Sequence, residues 1–199
     1  IALNKNIEKI FKSRKIWCAA STHNGEEKIC AEAHQKLKKK YKKLLTVIIP
    51  RHVHRVNDIY KEILDMGFKV QIHSKKSKIK KDTDIYLVDT YGETKSFFKI
   101  CNTVFLGGSI VNHGGQNPLE PARLGCKILH GPNIQNFTEV YRLLNKENLS
   151  FKFYNTNQLA KSVNQSLNQN INFSKKITKL KKIGSNILNH TSTEINCFL

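Results

Sequence analysis

Residues 103–123 read TVFLGGSIVNHGGQNPLEPAR, and the order of chemical types in this stretch decides the fold. A short apolar run from Thr103 to Leu106 ends in Gly107-Gly108-Ser109, the pattern of a buried strand entering a turn. Further on, Asn117-Pro118-Leu119-Glu120 has the order of a helix start, with Asn as cap, Pro in the first turn and Glu near the positive dipole end. Strand, glycine turn and helix N-terminus together make one β–α unit of a parallel sheet. The pairs Gly107-Gly108 and Gly114-Gly115 let backbone amides approach a ligand closely, and an anion nests against such N–H groups. Glu120 either compensates the helix dipole or accepts hydrogen bonds from ribose hydroxyls. The spacing is neither that of a Walker A loop nor G-x-G-x-x-G, which disfavours an ATPase or an NAD enzyme.

Working outward, the same alternation runs through the chain. Apolar runs at 16–20, 44–49, 68–72, 84–88, 127–129 and 151–154 read as further strands. Helical patterns at 26–41, 56–66, 94–100, 119–124, 137–144 and 158–167 separate them, with Asn24 expected to cap the first. Several strands are apolar nearly throughout, as in a parallel sheet covered on both faces. The fold class is therefore α/β, a doubly wound parallel sheet of Rossmann-like architecture. Residues 1–163 form this domain. Residues 164–199 form a C-terminal helical segment, whose stripe of Ile171, Phe173, Ile177, Leu180 and Ile183 is expected to dock on the domain or on a neighbour. Residues 73–82, rich in Lys and Ser, read as an exposed mobile loop.

Ligands of open parallel sheets bind beyond the carboxyl ends of the strands. Five strand ends carry polar or glycine-rich residues: Ser21-Thr22-His23-Asn24-Gly25, Pro50-Arg51-His52, Asp89-Thr90-Tyr91-Gly92-Glu93, the 107–120 stretch, and His130-Gly131-Pro132-Asn133 followed by Asn136. Each alone is an ordinary loop, and five on one edge point to a site. Arg51, one of only five Arg, suits bidentate capture of phosphate or carboxylate. His23 and His52 can orient a ligand, and neither stands beside a Cys or carboxylate at metal spacing.

The net charge is +19, with 34 Lys and Arg against 15 Asp and Glu. It fits either a phosphate-rich partner or the codon bias of an AT-rich genome, since 29 of the basic residues are Lys and Asn and Ile are abundant. The Lys runs at 36–43, 75–81 and 175–182 lack interleaved aromatic platforms, which weighs against nucleic acid and leaves an anionic membrane surface. No stretch has the run of about 18 apolar residues a membrane span needs. Residues 1–11 lack the apolar core of a signal peptide, and a start without Met suggests part of a longer chain. Five cysteines without a Cys-x-x-Cys pair, three of them in or beside apolar runs, argue for a reducing compartment and against a zinc site.

Taken together, Ala20-Ser21-Thr22-His23, Gly25-Glu26-Glu27, Pro50-Arg51-His52, Asp89-Thr90-Tyr91-Gly92-Glu93, Gly107-Gly108-Ser109, Gly114-Gly115-Gln116-Asn117-Pro118-Leu119-Glu120-Pro121-Ala122, Gly131-Pro132 and Asn136-Phe137 closely resemble the C-terminal domain of 3-deoxy-D-manno-octulosonic acid (Kdo) transferases. The resemblance runs from about residue 16 to residue 144 in the family's order. It implies the C-terminal half of a GT-B glycosyltransferase, which holds the donor CMP-Kdo. Carried over, Pro50, Arg51, Tyr91, Gly92, Glu93, Asn117, Pro118, Leu119 and Glu120 contact CMP. Ser21, Thr22, His23, His52, Gly107, Gly108, Gly114, Gly115 and Asn136 support them. Tyr91 stands where the family commonly has Met, and Gln116 where it has His or Arg.

The resemblance further implies metal-independent, inverting transfer of Kdo to the lipid A precursor, without a cofactor. The full enzyme works at the cytoplasmic face of the bacterial inner membrane, against an anionic membrane surface. The membrane anchor, the acceptor face and the carboxylate base belong to the family's N-terminal domain, so this chain is expected to be inactive alone. Arg51, helix N-termini and the glycine-loop amides are expected to stabilise charge on the leaving phosphate. Two other readings stay open: the nucleotide-binding half of another GT-B enzyme, sialyltransferase-like or an epimerase, or a non-enzymatic basic module for nucleic acid.

Overall fold

The computed structural model describes residues 5–74 and 79–168, together with Thr178. Seven strands form one sheet: β1 (Lys15–Thr22), β2 (Leu44–Pro50), β3 (Val70–Ile72), β4 (Ile85–Leu87), β5 (Thr103–Leu106), β6 (Lys127–His130) and β7 (Ser150–Lys152). Every pairing is parallel, in the order β3-β4-β2-β1-β5-β6-β7. Among the described residues seven longer α-helices accompany the strands: α1 (Lys5–Lys12), α2 (Glu26–Lys38), α3 (Val56–Asp65), α4 (Thr94–Phe98), α5 (Leu119–Arg123), α6 (Thr138–Lys146) and α7 (Thr156–Asn168).

Side chains alternate between two cores, as the period of two in a strand requires. On one face Cys18 and Ala20 of β1, Leu45, Val47 and Ile49 of β2 and Val104 and Leu106 of β5 pack with Phe11, Phe97, Ala122, Tyr141 and Leu144. On the other, Trp17, Ala19, Leu44, Ile48, Phe105 and Leu129 pack with Cys30, Ala31, Leu37, Ile59, Ile63, Leu159 and Val163. The doubly wound arrangement follows directly: each central strand has two apolar faces and needs helices on both. At the amino edge of the sheet, Asp84 accepts from Lys38 Nζ at 2.5 Å and from the Lys69 amide at 3.0 Å. Burial alone raises that carboxyl's pKa; His34 Nε2 at 3.6 Å and the bonds from Lys38 and Lys69 outweigh it and hold the group below the usual range.

Several expectations are corrected. Helix α1 was not foreseen, because its polar composition hides the spacing of Ile7, Ile10 and Phe11, although Phe11 is fully buried. Asn24 does not cap α2; Gly25 takes that position with φ +87°, and no side chain caps the helix there. The segment expected as a mobile loop anchors Ile79 in the core, and its residues 75–78 lie outside the described residues. Residues 164–168 continue α7 without a break, with the Tyr41 hydroxyl donating to Asn164 Oδ1 at 2.7 Å. The stripe from Ile171 to Ile183, like Cys197, lies outside the described residues. Cys18, Cys30, Cys101 and Cys126 are buried free thiols.

Buried imidazoles give the domain an acid sensitivity. Burial, aided by repulsion from Lys152, pushes His130 down to about 4, and burial also lowers His34. His130 stays neutral in the folded chain down to about pH 4, whereas an unfolded histidine takes up a proton below about 6.5. The unfolded state therefore binds more protons between those limits, and stability falls as pH drops from about 6.5 to 4. Between about pH 7.5 and 5, His130 alone accounts for a loss of about 2 kcal/mol. Urea midpoints should show this slope in the parent chain and a shallower one in His130→Gln. Equal slopes in the two proteins refute the assignment.

Candidate functional site

Strands β1 and β5 are neighbours, paired from Cys18↔Val104 to Ala20↔Leu106, yet the chain leaves β1 to build β2 on its other side. The winding reverses between them, and the crevice outside their carboxyl ends is where such sheets bind ligands. Two turns meet there. Residues 21–25 close β1 and lead out of it, with Ser21 at φ 55° and a bulge between Ala20 and Thr22, and residues 107–110 follow β5.

Between these turns lies Glu26, the first residue of α2, fully buried. Its carboxylate accepts from the amides of Gly108 at 2.8 Å, Ser109 at 3.2 Å, Ile110 at 2.9 Å and His23 at 2.9 Å. The Gly107 amide bonds to Ala20 O at 2.9 Å. This corrects the expectation that the glycine-loop amides at 107–108 face a donor phosphate. The nest exists, and an internal carboxylate fills it. Gly107 and Gly108 thus support the site by joining the two strand ends.

Glu27, also fully buried, accepts from Thr22 Oγ1 at 2.9 Å and forms a two-toothed ion pair with Arg55, at 3.0 and 3.3 Å. This pair fixes the loop after Pro50, where the Arg51 amide bonds to Thr22 O and the Arg51 side chain is exposed. Four imidazoles cluster over this edge. His23 lies 4.2 Å from His113 and 6.0 Å from His52 between ring centroids, and His52 lies 5.6 Å from His54. Burial first, then the proximity of His113, His52, Arg55 and Arg51, lowers His23 to about 4. Its Nε2 is buried without a hydrogen-bond partner among the described residues. Sequence reasoning found His23 and His52 and missed His54, His113, Arg55 and the roles of Glu26 and Glu27. Glu26 and Glu27 had the one usable signal, two acids at a helix start, which reads equally well as dipole compensation.

The remainder of the 107–120 loop is pinned from outside. Gly115 donates to Gly108 O at 2.8 Å, Gly131 to Ser109 Oγ at 2.9 Å, Asn133 Nδ2 to Ile110 O at 2.8 Å, and the Tyr141 hydroxyl to Gln116 O at 3.0 Å. Asn136 packs over Gly114, leaving no room there for a Cβ, and bonds to His113 O at 3.2 Å. Pro118 takes the cap position of α5, while Asn117 Oδ1 accepts the Leu119 amide at 3.0 Å, so Asn117 serves the helix start from one residue earlier. Glu120 is exposed, and no side-chain partner is recorded for it among the described residues.

After β4, Asp89 accepts from the Ser74 amide at 2.8 Å. Glu93 Oε2 accepts from Thr90 Oγ1 and pairs with His73 Nε2 at 2.9 Å. Tyr91 at this turn is 72 % exposed, a large aromatic ring at the rim. The expected residues therefore share one edge. The structure joins the 21–23, 51–52 and 107–108 groups by direct contacts, and it records no hydrogen bond or ring contact between 91–93 and 107–120 among the described residues. Among those residues no group of three or more His, Cys, Asp or Glu is placed to hold a metal ion. No helix of the described residues is long and apolar enough to cross a membrane.

A parallel sheet wound both ways from β1, with polar turns collected at one edge, is the architecture of a Rossmann-like nucleotide-binding domain. No protein-family model matches the chain. It is 38% identical over 133 residues to the 3-deoxy-D-manno-octulosonic acid transferase of Haemophilus influenzae, a match covering 67% of this chain and 31% of that protein. The transferase of the same name from Aquifex aeolicus is 30% identical over 149 residues, 75% of this chain and 41% of that one. Among solved structures, the C-terminal CMP-Kdo binding domain of WaaA from Acinetobacter baumannii superposes with a TM-score of 0.79 at 25% identity, covering 87% of this chain and 90% of that domain. The chain is homologous to the Kdo transferases, and its fold is that of their C-terminal domain. Its matches span less than half the length of these two curated relatives.

Proposed function

We propose that this chain is the donor-binding domain of a glycosyltransferase that moves Kdo from CMP-Kdo to the lipid A precursor, in lipopolysaccharide synthesis at the cytoplasmic face of the inner membrane. The observation that carries the reading is the near-complete superposition on a domain described as CMP-Kdo binding. Three features of the edge support it. Arg51 offers an exposed guanidinium of the geometry a phosphate or carboxylate takes. Tyr91 presents a ring face on which a base can stack. Glu120 is exposed and stands clear of the bonds that close the 107–110 nest.

In this reading the chain binds and orients the donor, and the carboxylate that deprotonates the acceptor hydroxyl belongs to the family's N-terminal domain. The hydroxyl attacks the anomeric carbon of Kdo while CMP leaves with the bonding pair, and Arg51 balances charge on the departing phosphate without a metal ion. The chain alone is then expected to bind CMP and to transfer no Kdo. The basic surface favours an anionic membrane as the setting.

Titrating CMP into isotope-labelled protein is expected to shift the amides of Arg51, Gly92, residues 114–117, Leu119 and Glu120, with UDP a weak competitor. Because Gly108, Ser109 and Ile110 already bond Glu26, their amides should move least. Arg51→Ala should weaken CMP binding by about tenfold or more, the worth of a charge-assisted phosphate contact. No shifts at millimolar CMP would sink the donor-site reading.

A further inference from the structure

His73 stands just past the end of β3, and both its ring nitrogens are engaged. Nδ1 lies 2.8 Å from the Tyr86 hydroxyl, and Nε2 lies 2.9 Å from Glu93 Oε2. Phe97 and Tyr86 meet the ring edge-on, at 5.5 and 5.6 Å between centroids. Tyr86 is itself held edge-on by Phe11 at 5.4 Å. The imidazole therefore has one position. Burial, then Glu93 and Asp89, raise the Tyr86 phenol well above its ordinary range, so it keeps its proton. A phenol donating to Nδ1 leaves the ring's hydrogen on Nε2, where it donates to the carboxylate.

One oxygen of Glu93 is doubly committed by this arrangement, to His73 and to Thr90. The other, Oε1, has no recorded partner among the described residues. We propose that His73 is a positioning residue: relayed from Tyr86, it fixes the rotamer of Glu93 so that Oε1 faces the nucleotide and accepts a hydroxyl or amine hydrogen from it. The inference rests on the donor-site reading for the nucleotide and adds to it a residue that touches no ligand. A carboxylate anchored through one oxygen keeps its acceptor aim without losing side-chain freedom on binding.

The relay is tested first without nucleotide. Imidazole nitrogen shifts at about pH 7.5 should report His73 with its hydrogen on Nε2, and Tyr86→Phe should release that preference. A hydrogen on Nδ1 in the parent protein overturns the relay whatever CMP does. CMP affinity is then measured in a cycle of His73→Leu, Glu93→Gln and the double variant. Each single change should weaken CMP by about tenfold, the double change should add little, and His73→Gln should recover most of the loss. Should His73→Leu fail to fold, the same comparison is read from Tyr86→Phe, which removes the donor to Nδ1. Effects that multiply, or a His73→Leu affinity within about twofold of the parent, refute the positioning role while the donor site stands. Absence of CMP binding in the parent protein overturns the donor site instead.

Discussion

Glu26→Gln is expected to destabilise the domain by about 3–5 kcal/mol, the largest effect foreseen for an isosteric change. The carboxylate receives four backbone N–H groups in a fully buried position. A glutamine keeps one acceptor oxygen and turns an amino group toward N–H donors that have no other partner. Each donor so stranded costs about 1–3 kcal/mol, more when the acceptor it loses carried charge. For a domain of this size that corresponds to a fall in melting temperature of about 10 °C. The exposed Glu120→Gln provides the contrast, within about 0.5 kcal/mol of the parent. Chemical denaturation of the two variants decides the matter, and a Glu26→Gln loss below about 1 kcal/mol rules out the filled nest.

That prediction could not have been made from the residues alone, and the reason is physical. The strands were legible because apolar runs such as Leu44 to Ile49 are continuous and bounded by turn residues, and all seven appear within two residues of the expected ends. Their parallel order followed from two-faced hydrophobicity. The weaknesses lay where one residue type serves two purposes. An acid at a helix start is ordinarily a dipole partner, and nothing in a one-dimensional pattern says that Glu26 turns inward to meet a turn 82 residues away. His73 and Glu93 are likewise 20 residues apart with no spacing rule to join them. Only the pairing of β3 with β4 brings their loops together.

The site itself was legible as an edge more than as a set of contacts. Which strand ends gather is a matter of topology, and topology was readable. Which groups in those ends remain free for a ligand depends on internal bonds that compete for them. At Gly108 and Glu93 the competition has an internal winner for at least part of the group. At Arg51 and Glu120 the side chains remain exposed. The expected donor contacts thus divide by a criterion the sequence does not contain.

Gly107→Ala carries the second large expectation, a loss of about 4 kcal/mol or more with the switch-point crevice opened. A methyl group at this position overlaps the Ser21 carbonyl oxygen and comes within 2.6 Å of both Thr22 Cα and Glu26 Oε2. Two of those three atoms are backbone at the end of β1, and the third is held by the amides of His23 and Gly108. None can swing aside as a flexible side chain would. Relief requires the ends of β1 and β5 to part, which breaks the Gly107 amide bond to Ala20 and lifts the nest off Glu26. Gly25→Ala separates this steric cause from backbone strain. Gly25 also follows β1 and has φ +87°, yet a methyl there meets nothing within 4 Å, so its cost is confined to about 1–2 kcal/mol of left-handed conformation. Urea midpoints for the pair should differ accordingly, and Gly107→Ala should lose CMP-induced shifts that Gly25→Ala retains. If the two variants prove equally stable, the close approach of the strand ends is not what holds this edge together.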